Sequence, residues 1–196
     1  IELEEKIARF KNTEAAVTFT SAYAANASAV QTILGKEDIV VSDQLNHASI
    51  IDAVKVSGVQ RKFAYKHSDM GDLEAKLSEA SELQKIPKSN GEQPLILIIT
   101  DGVFSMDGDL ARLPEIVDLA KKYDALTMVD DAHGEGVLGK GGRGVVNHFG
   151  LEGEVDIEIG SLSKAFSVTG GFIAAKQPLI DAYLMGARQR MFSIAL

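Results

Sequence analysis

The stretch EIGSLSKAFSVTGGF, Glu158 to Phe172, places Lys164 among serines and ahead of a glycine pair. A lysine behind an apolar run can be a solvated surface ammonium, the base that deprotonates a serine, or an amine that bonds covalently to a carbonyl cofactor. Three other stretches also set polar groups directly behind apolar runs. DGVFSMDGD follows LIIT and carries Asp101, Ser105 and Asp107. DDAHGEGVLGKGGRG follows LTMV and carries Asp130, Asp131 and His133. SDQLNHAS follows DIVV and carries His47. Taken singly, each has a bland reading as a loop charge or a turn cap. A carboxylate that ends a buried strand must find a partner or a cation, which gives Asp130 and Asp131 more weight, with capping of the next turn as their structural role.

The elements that must position these groups follow from two alternating periods. Leu3, Ile7 and Phe10 recur at helical spacing, AAVTFT reads as a strand and AANASAVQTIL as a helix. DIVVSD, QRKFAY, PLILIIT, ALTMVDD, VDIEIGS and GGFIAA are strand-like; HASIIDAVKVS, MGDLEAKLSEASEL, LPEIVDLAKKY and PLIDAYLMGARQR are helix-like. Pro114 suits a first helical turn, where its missing N–H would be unpaired anyway. Strands alternating with helices predict a three-layer α/β domain with a mostly parallel sheet. Gln84 to Pro94 reads as a polar surface loop. Open parallel sheets bind ligands at the carboxyl ends of their strands, so the four polar stretches are expected to meet on one rim.

Composition narrows the classes. The chain has 196 residues, 45% of them apolar and 24% charged, and a formal net charge of −8. That fits one domain with a core, and scattered basic residues show no nucleic-acid footprint. Without cysteine there is no disulfide, no thiolate nucleophile and no cysteine-based zinc site. No apolar run reaches the ~18 residues of a membrane span, and the acidic, amphipathic start is unlike a signal peptide. A soluble, cytoplasmic protein is the expectation.

Two motifs compete for the chemistry. Gly139, Gly141 and Gly144 satisfy G-x-G-x-x-G, but far behind their strand and before VVNHFG, a poor helix start. Ser161 and Lys164 satisfy S-x-x-K, but the later S-D-N and K-T-G elements that a serine acyl-enzyme needs are missing. A Schiff-base lysine remains. Pyridoxal phosphate (PLP) needs an amine, a carboxylate facing its ring nitrogen and donors for its phosphate. Lys164, Asp130 and the hydroxyl of Ser161 supply these, with the N–H groups that open the helix at SAYAANASAV as a further anion cradle.

LNHASIIDAV, TDGVFSMDGD, MVDDAHGEGVLGKGGRG and GSLSKAFSVTGG, in that order and spacing, resemble the α-oxoamine synthases, which are fold-type-I PLP enzymes that join an amino acid to an acyl-CoA. The resemblance covers nearly the whole chain and looks most like the glycine C-acetyltransferase branch. The 8-amino-7-oxononanoate synthase and serine palmitoyltransferase branches are alternatives, as is another fold-type-I aminotransferase or lyase. The resemblance implies the large domain of the aspartate aminotransferase fold and a homodimer with its site at the subunit interface. Glycine and an acyl-CoA are the implied substrates.

It also implies roles. Lys164 would hold the cofactor and then remove the substrate's α-proton, while Asp130 would face the pyridine nitrogen. His133, helped by Ser105, would donate to the phenolic oxygen, and His47 would stack on the ring. The N–H groups of Ala22 and Tyr23 and the hydroxyl of Ser161 would hold the phosphate, and Ser193 would reach the partner subunit's phosphate. Asn26 would line the site and Ser163 would be a spacer. Relatives commonly carry threonine at Ser161, glycine at Ser167 and a hydroxyl at Ala195. They are also about twice as long. Residues 1–196 are therefore expected to be the large, cofactor-binding domain of a longer chain, lacking an N-terminal segment and a small C-terminal domain. Without that small domain, a scaffold that only binds cofactor or dimerises is the non-enzymatic reading.

Overall fold

The computed structural model describes residues 2–193. The expected alternation is present: α1 (Glu2–Lys11), β1 (Ala15–Phe19), α2 (Ala22–Ile33), β2 (Ile39–Asp43), α3 (Ala48–Val56), β3 (Arg61–Tyr65), α4 (Met70–Gln84) and β4 (Ile96–Asp101). Then come α5 (Leu113–Lys122), β5 (Leu126–Asp130), α6 (Val145–His148), β6 (Ile157–Ser161), β7 (Gly171–Ala175), α7 (Gln177–Gly186) and α8 (Arg188–Met191). Among the described residues the strands form one seven-stranded sheet in the order β1-β7-β6-β5-β4-β2-β3.

The helices cover both faces because the strands alternate. Val17, Val40, Leu97, Ile99, Met128, Ile159 and Ile173 face α2, α3 and α7. Ile39, Val41, Ile96 and Ile98 face α4 and α5, while Ala16, Phe172 and Ala174 pack under α1. Central β4, ILIITD, is buried throughout, as a strand covered on both faces must be. The edge strand β3, RKFAY, keeps charged residues, which protect an open edge from pairing with another chain. Among the described residues, no helix is long and apolar enough to cross a membrane.

Two details depart from the sequence expectation. First, β7 runs antiparallel to both β1 and β6. Only a loop joins β6 to β7, and parallel pairing would need a crossover long enough to return the chain to the same end. Second, PLIDAYLMGARQR is not one helix. It breaks at Ala187, whose ψ is 98° and whose side chain is fully buried. Gly186 lies so close to α2 that a Cβ there would press on Thr32. Pro114 does sit in the first turn of α5.

Ser167 also gains a physical explanation. It turns the β6–β7 loop with φ +55°, in the left-handed region, and its N–H donates to the Lys164 carbonyl at 3.1 Å. Glycine adopts that conformation freely, whereas a side chain there costs on the order of 1 kcal/mol.

Candidate active site

With β7 the exception, every strand points its carboxyl end toward one rim, and the four polar stretches meet there. A pocket on that rim is lined by Ala22, Tyr23, His47, Ser49, Asp101, Asp130, Ala132, His133, Ser161 and Lys164. Ser105 is exposed on the loop after β4, and Ser193 is exposed at the end of the described chain. Neither lines the pocket. Ala195 lies outside the described residues.

Asp130 ends β5 and is nearly inaccessible. Its Oδ2 accepts from Asn26 Nδ2 at 2.6 Å and its Oδ1 from the Ala132 N–H at 3.1 Å. Burial raises its pKa, with those hydrogen bonds and the nearby histidines pulling the other way. A cation set against this carboxylate would restore the ionised form. His133, three residues on, has its pKa lowered, first by burial and then by the positive charge of Lys164, against the pull of Asp130. It is therefore a neutral imidazole near neutral pH, able to donate from one nitrogen.

The wall from α2 and α3 is set by capping. Ser21 Oγ accepts the Ala24 N–H at 3.1 Å, which leaves the N–H groups of Ala22 and Tyr23 without an intrahelical acceptor at the helix start. That start abuts β7: a Cβ on Gly171 would overlap Ala22 N and the Ser21 carbonyl carbon. His47 caps α3, its Nδ1 accepting the Ser49 N–H at 3.2 Å. Its own N–H donates to Asp101 Oδ2 at 2.9 Å. Beside it, Asn46 uses its amide as a substitute strand residue, accepting from Asp101 N–H and donating to the Ile99 carbonyl, both at 2.8 Å. On the opposite side, Ser161 Oγ pairs with Ser163 Oγ at 2.9 Å. Ser163 thus orients the hydroxyl that faces the pocket, a role beyond that of a spacer.

Asp101 was one of several loop acids in the sequence; the structure makes it a second buried carboxyl of the pocket. Burial, then the charges of Asp130 and Asp43, push its pKa up to about 8. An acid whose folded pKa exceeds its unfolded value loses stability as pH rises between the two. Wild-type stability should therefore fall between about pH 4 and pH 8 on account of Asp101. The variant Asp101→Asn, a mimic of the protonated acid, is expected to be more stable than wild type at pH 9 by on the order of 2 kcal/mol and no more stable at pH 4. Urea unfolding at the two pH values checks this, and an advantage independent of pH would show that Asp101 does not carry the proton.

Directly behind the pocket lies a buried ion cluster that sequence reading missed. Lys11, at the end of α1, reaches Glu158 at 2.9 Å and Asp131 and Glu135 at 3.3 Å, and donates to the Arg143 carbonyl at 2.8 Å. Burial alone would lower the ammonium's pKa, but the carboxylates, Glu158 foremost, hold it above the usual lysine range. Burial pushes the pKa of Asp131 up to about 6 and that of Glu135 well above the usual range. Asp131 also accepts the Val145 N–H at 2.8 Å, at the start of α6 rather than in the next turn. The glycine-rich loop is a structural wrap over that acid: a Cβ on Gly144, whose φ is +98°, would collide with Asp131. It is no dinucleotide fingerprint.

The residues fit the three demands of a pyridoxal phosphate: an amine at the rim, a carboxyl buried with a lone pair to spare, and free N–H groups beside a hydroxyl for an anion.

A family model described as aminotransferase class I and II matches residues 1–196. The chain is 57% identical over 196 residues to the 8-amino-7-oxononanoate synthase of Fervidobacterium nodosum, an alignment covering 100% of this chain and 48% of that protein. It is 51% identical over 192 residues to 8-amino-7-oxononanoate synthase 1 of Bacillus subtilis, covering 98% and 46%. Among solved structures, serine palmitoyltransferase from S. paucimobilis with bound PLP-myriocin aldimine superposes with a TM-score of 0.88 at 34% identity, covering 100% of this chain and 48% of that one. The 8-amino-7-oxononanoate synthase of Francisella tularensis superposes with a TM-score of 0.79 at 31% identity, covering 100% and 53%. The chain thus spans about half the length of the curated relatives it matches. These relatives carry the names of the two alternative branches, and the leaning toward glycine C-acetyltransferase is corrected accordingly. The motif resemblance, the sheet order and the family match agree, and the chain belongs to the aminotransferase class I and II family.

Proposed function

We propose that residues 1–196 are the cofactor-binding part of a PLP-dependent acyltransferase, and that its reaction is the one named by its relatives. The observation that carries this is the convergence of Lys164, Asp130, His133 and His47 with the free N–H groups of Ala22 and Tyr23 in one pocket.

The name 8-amino-7-oxononanoate describes a nine-carbon acid with a ketone at carbon 7 and an amine at carbon 8. Carbons 8 and 9 with the amine are alanine without its carboxyl; carbons 1 to 7 are a seven-carbon dicarboxylic acyl group. The substrates proposed are therefore L-alanine and a pimeloyl thioester, and alanine replaces the glycine expected from sequence. The Cα–carboxyl bond breaks to release carbon dioxide, a bond forms between Cα and the acyl carbon, and the thioester C–S bond breaks to release the thiol.

PLP, when bound, supplies an electron sink for a carbanion at Cα. Asp130 would accept the ring N–H and keep that nitrogen protonated, while neutral His133 would donate to the phenolic oxygen. His47 would cover one ring face. Ala22 N–H, Tyr23 N–H and Ser161 Oγ would bind the phosphate. Lys164 would hold the cofactor by its amine and then take the Cα proton, so that one group serves as anchor and base. Ser105, exposed on the loop after β4, would help His133 from outside the pocket wall. A homodimer, in which Ser193 would serve the neighbouring subunit's phosphate, belongs to the same proposal.

The test is thiol release by the full-length polypeptide across amino acids and acyl-CoAs. L-Alanine with pimeloyl-CoA should exceed glycine with acetyl-CoA and L-serine with palmitoyl-CoA by at least ~10-fold in kcat/KM. Preference for either of the other pairs would move the chain to that branch, and no thiol release with any pair would overturn the acyltransferase reading.

A further inference from the structure

Two buried side chains bind the pocket together from beneath. Asn26 is in the second turn of α2 and Ser49 in the first turn of α3; neither is accessible by more than 4%. Asn26 Nδ2 donates to Asp130 Oδ2 at 2.6 Å and to Ser49 Oγ at 3.0 Å. Ser49 Oγ lies 2.7 Å from His47 Nδ1, the same nitrogen that receives the Ser49 N–H. An unbroken line of hydrogen bonds therefore runs from Asp130 to His47.

Its polarity is fixed by chemistry. Once a cation set against it holds Asp130 ionised, the carboxylate only accepts, so Asn26 presents its nitrogen, whose two hydrogens then serve Asp130 and Ser49. Ser49 Oγ, having accepted, gives its own hydrogen to His47 Nδ1. With Nδ1 occupied as an acceptor, a neutral His47 carries its proton on Nε2. Capping α3 needs only the Ser49 N–H, so the hydroxyl and the Asn26 amide contribute nothing to the helix that would explain this arrangement. The cost is visible too: Asn26 Oδ1 is buried with no partner. Turning the amide over would satisfy that oxygen only by setting it against Asp130. Leaving a buried carbonyl unsatisfied is destabilising, and a fold that keeps it retains the line for another reason.

We infer that Asn26 is a positioning residue for the reaction, fixing the carboxylate of Asp130 toward the ring nitrogen and, through Ser49, the tautomer and orientation of the His47 ring that covers the cofactor. This rests on the PLP reading above. It goes beyond that reading in making the edge and face contacts of the ring one coupled unit rather than two.

The experiment uses full-length holoenzyme, with exchange of the alanine Cα proton for deuterium as the kinetic readout and 15N-histidine NMR as the structural one. In wild type, His47 should show a bare, hydrogen-bonded Nδ1 and a protonated Nε2. Asn26→Ala should retain PLP and its visible band but slow exchange about 10–100-fold, as expected for loss of a group that orients a ligating one. Ser49→Ala should leave the Asp130 contact in place, mix the His47 tautomers and slow exchange less. In the background of His47→Ala, the effect of Asn26→Ala should shrink, because part of it is exerted through that ring.

Exchange within about twofold of wild type in Asn26→Ala, or effects of Asn26 and His47 that simply multiply, would overturn the coupling. Should Asn26→Ala not fold, the His47 tautomer in Ser49→Ala decides, and an unchanged spectrum refutes the line. If wild type itself lacks a Lys164-dependent visible band, the cofactor reading has failed, an outcome distinct from every variant result above.

Discussion

Lys164→Ala is expected to abolish both the visible Schiff-base band and thiol release, the latter by at least ~10³-fold in kcat. The magnitude follows from the double duty proposed for one amine. Lys164 lies on the loop between β6 and β7, lines the pocket with Asp130 and His133, and is close enough to lower the His133 pKa by its charge. Among the described residues no other lysine lines that pocket, so neither of the two proposed roles has a substitute. Because the loop is exposed and the lysine carries no packing, the variant should unfold within about 0.5 kcal/mol of wild type. PLP should still be held, more weakly, through its phosphate and ring contacts, so equilibrium dialysis separates loss of chemistry from loss of binding. Persistence of the band in the variant would sink the Schiff-base assignment, and thiol release within tenfold of wild type would remove the lysine from the base role.

The second large effect is on the fold. Lys11→Met is expected to destabilise the protein by about 3–5 kcal/mol at pH 7, since removing one partner leaves buried carboxylates without a counter-charge. The side chains of Lys11, Asp131, Glu135 and Glu158 are all within 2% of complete burial, so water cannot replace the ammonium. The pH dependence has a definite sign. Burial already raises the pKa values of the three acids above their unfolded values, and loss of Lys11 raises them further. Raised acids lower stability as pH increases, so the deficit should be greatest at alkaline pH and shrink below about pH 4, where the acids are protonated in both states. Adding Glu158→Gln, which neutralises the nearest acid, should recover part of the loss. Urea unfolding across pH measures all of this; a deficit under ~1 kcal/mol at pH 7 would mean that the cluster carries little of the stability.

Much of the architecture was readable because strand and helix periods differ and each strand alternates toward two helical layers. The antiparallel β7 was not, since GGFIAA has the same period whichever way it runs and only the shortness of its connection fixes the direction. The pocket was legible where a polar residue directly follows an apolar run, as with His47, Asp130, His133 and Lys164. Ser49 was passed over because it sits inside a helix-like run, although a hydroxyl two residues behind a histidine can reach that ring. Lys11 gave no local sign at all: in the last turn of an acidic amphipathic helix it reads as a solvated charge. Its partners lie more than a hundred residues away in sequence. Sub-family was the least legible property, because the motifs that hold the cofactor are shared by branches that differ in what they condense.

The ladder that joins β1, β7 and β6 aligns Phe19 with Gly171 and Gly171 with Ser161. The proposed anion cradle opens a few residues beyond Phe19, and the lysine loop departs from Ser161, so in that proposal both ends of the cofactor would hang from neighbouring rungs. Their separation is consequently quantised. A slip of one residue would turn the strand inside out, and a slip of two would displace one end by roughly 7 Å. Natural variation or engineering can therefore reshape the pocket through side chains and loops. The span between phosphate and amine admits no gradual adjustment.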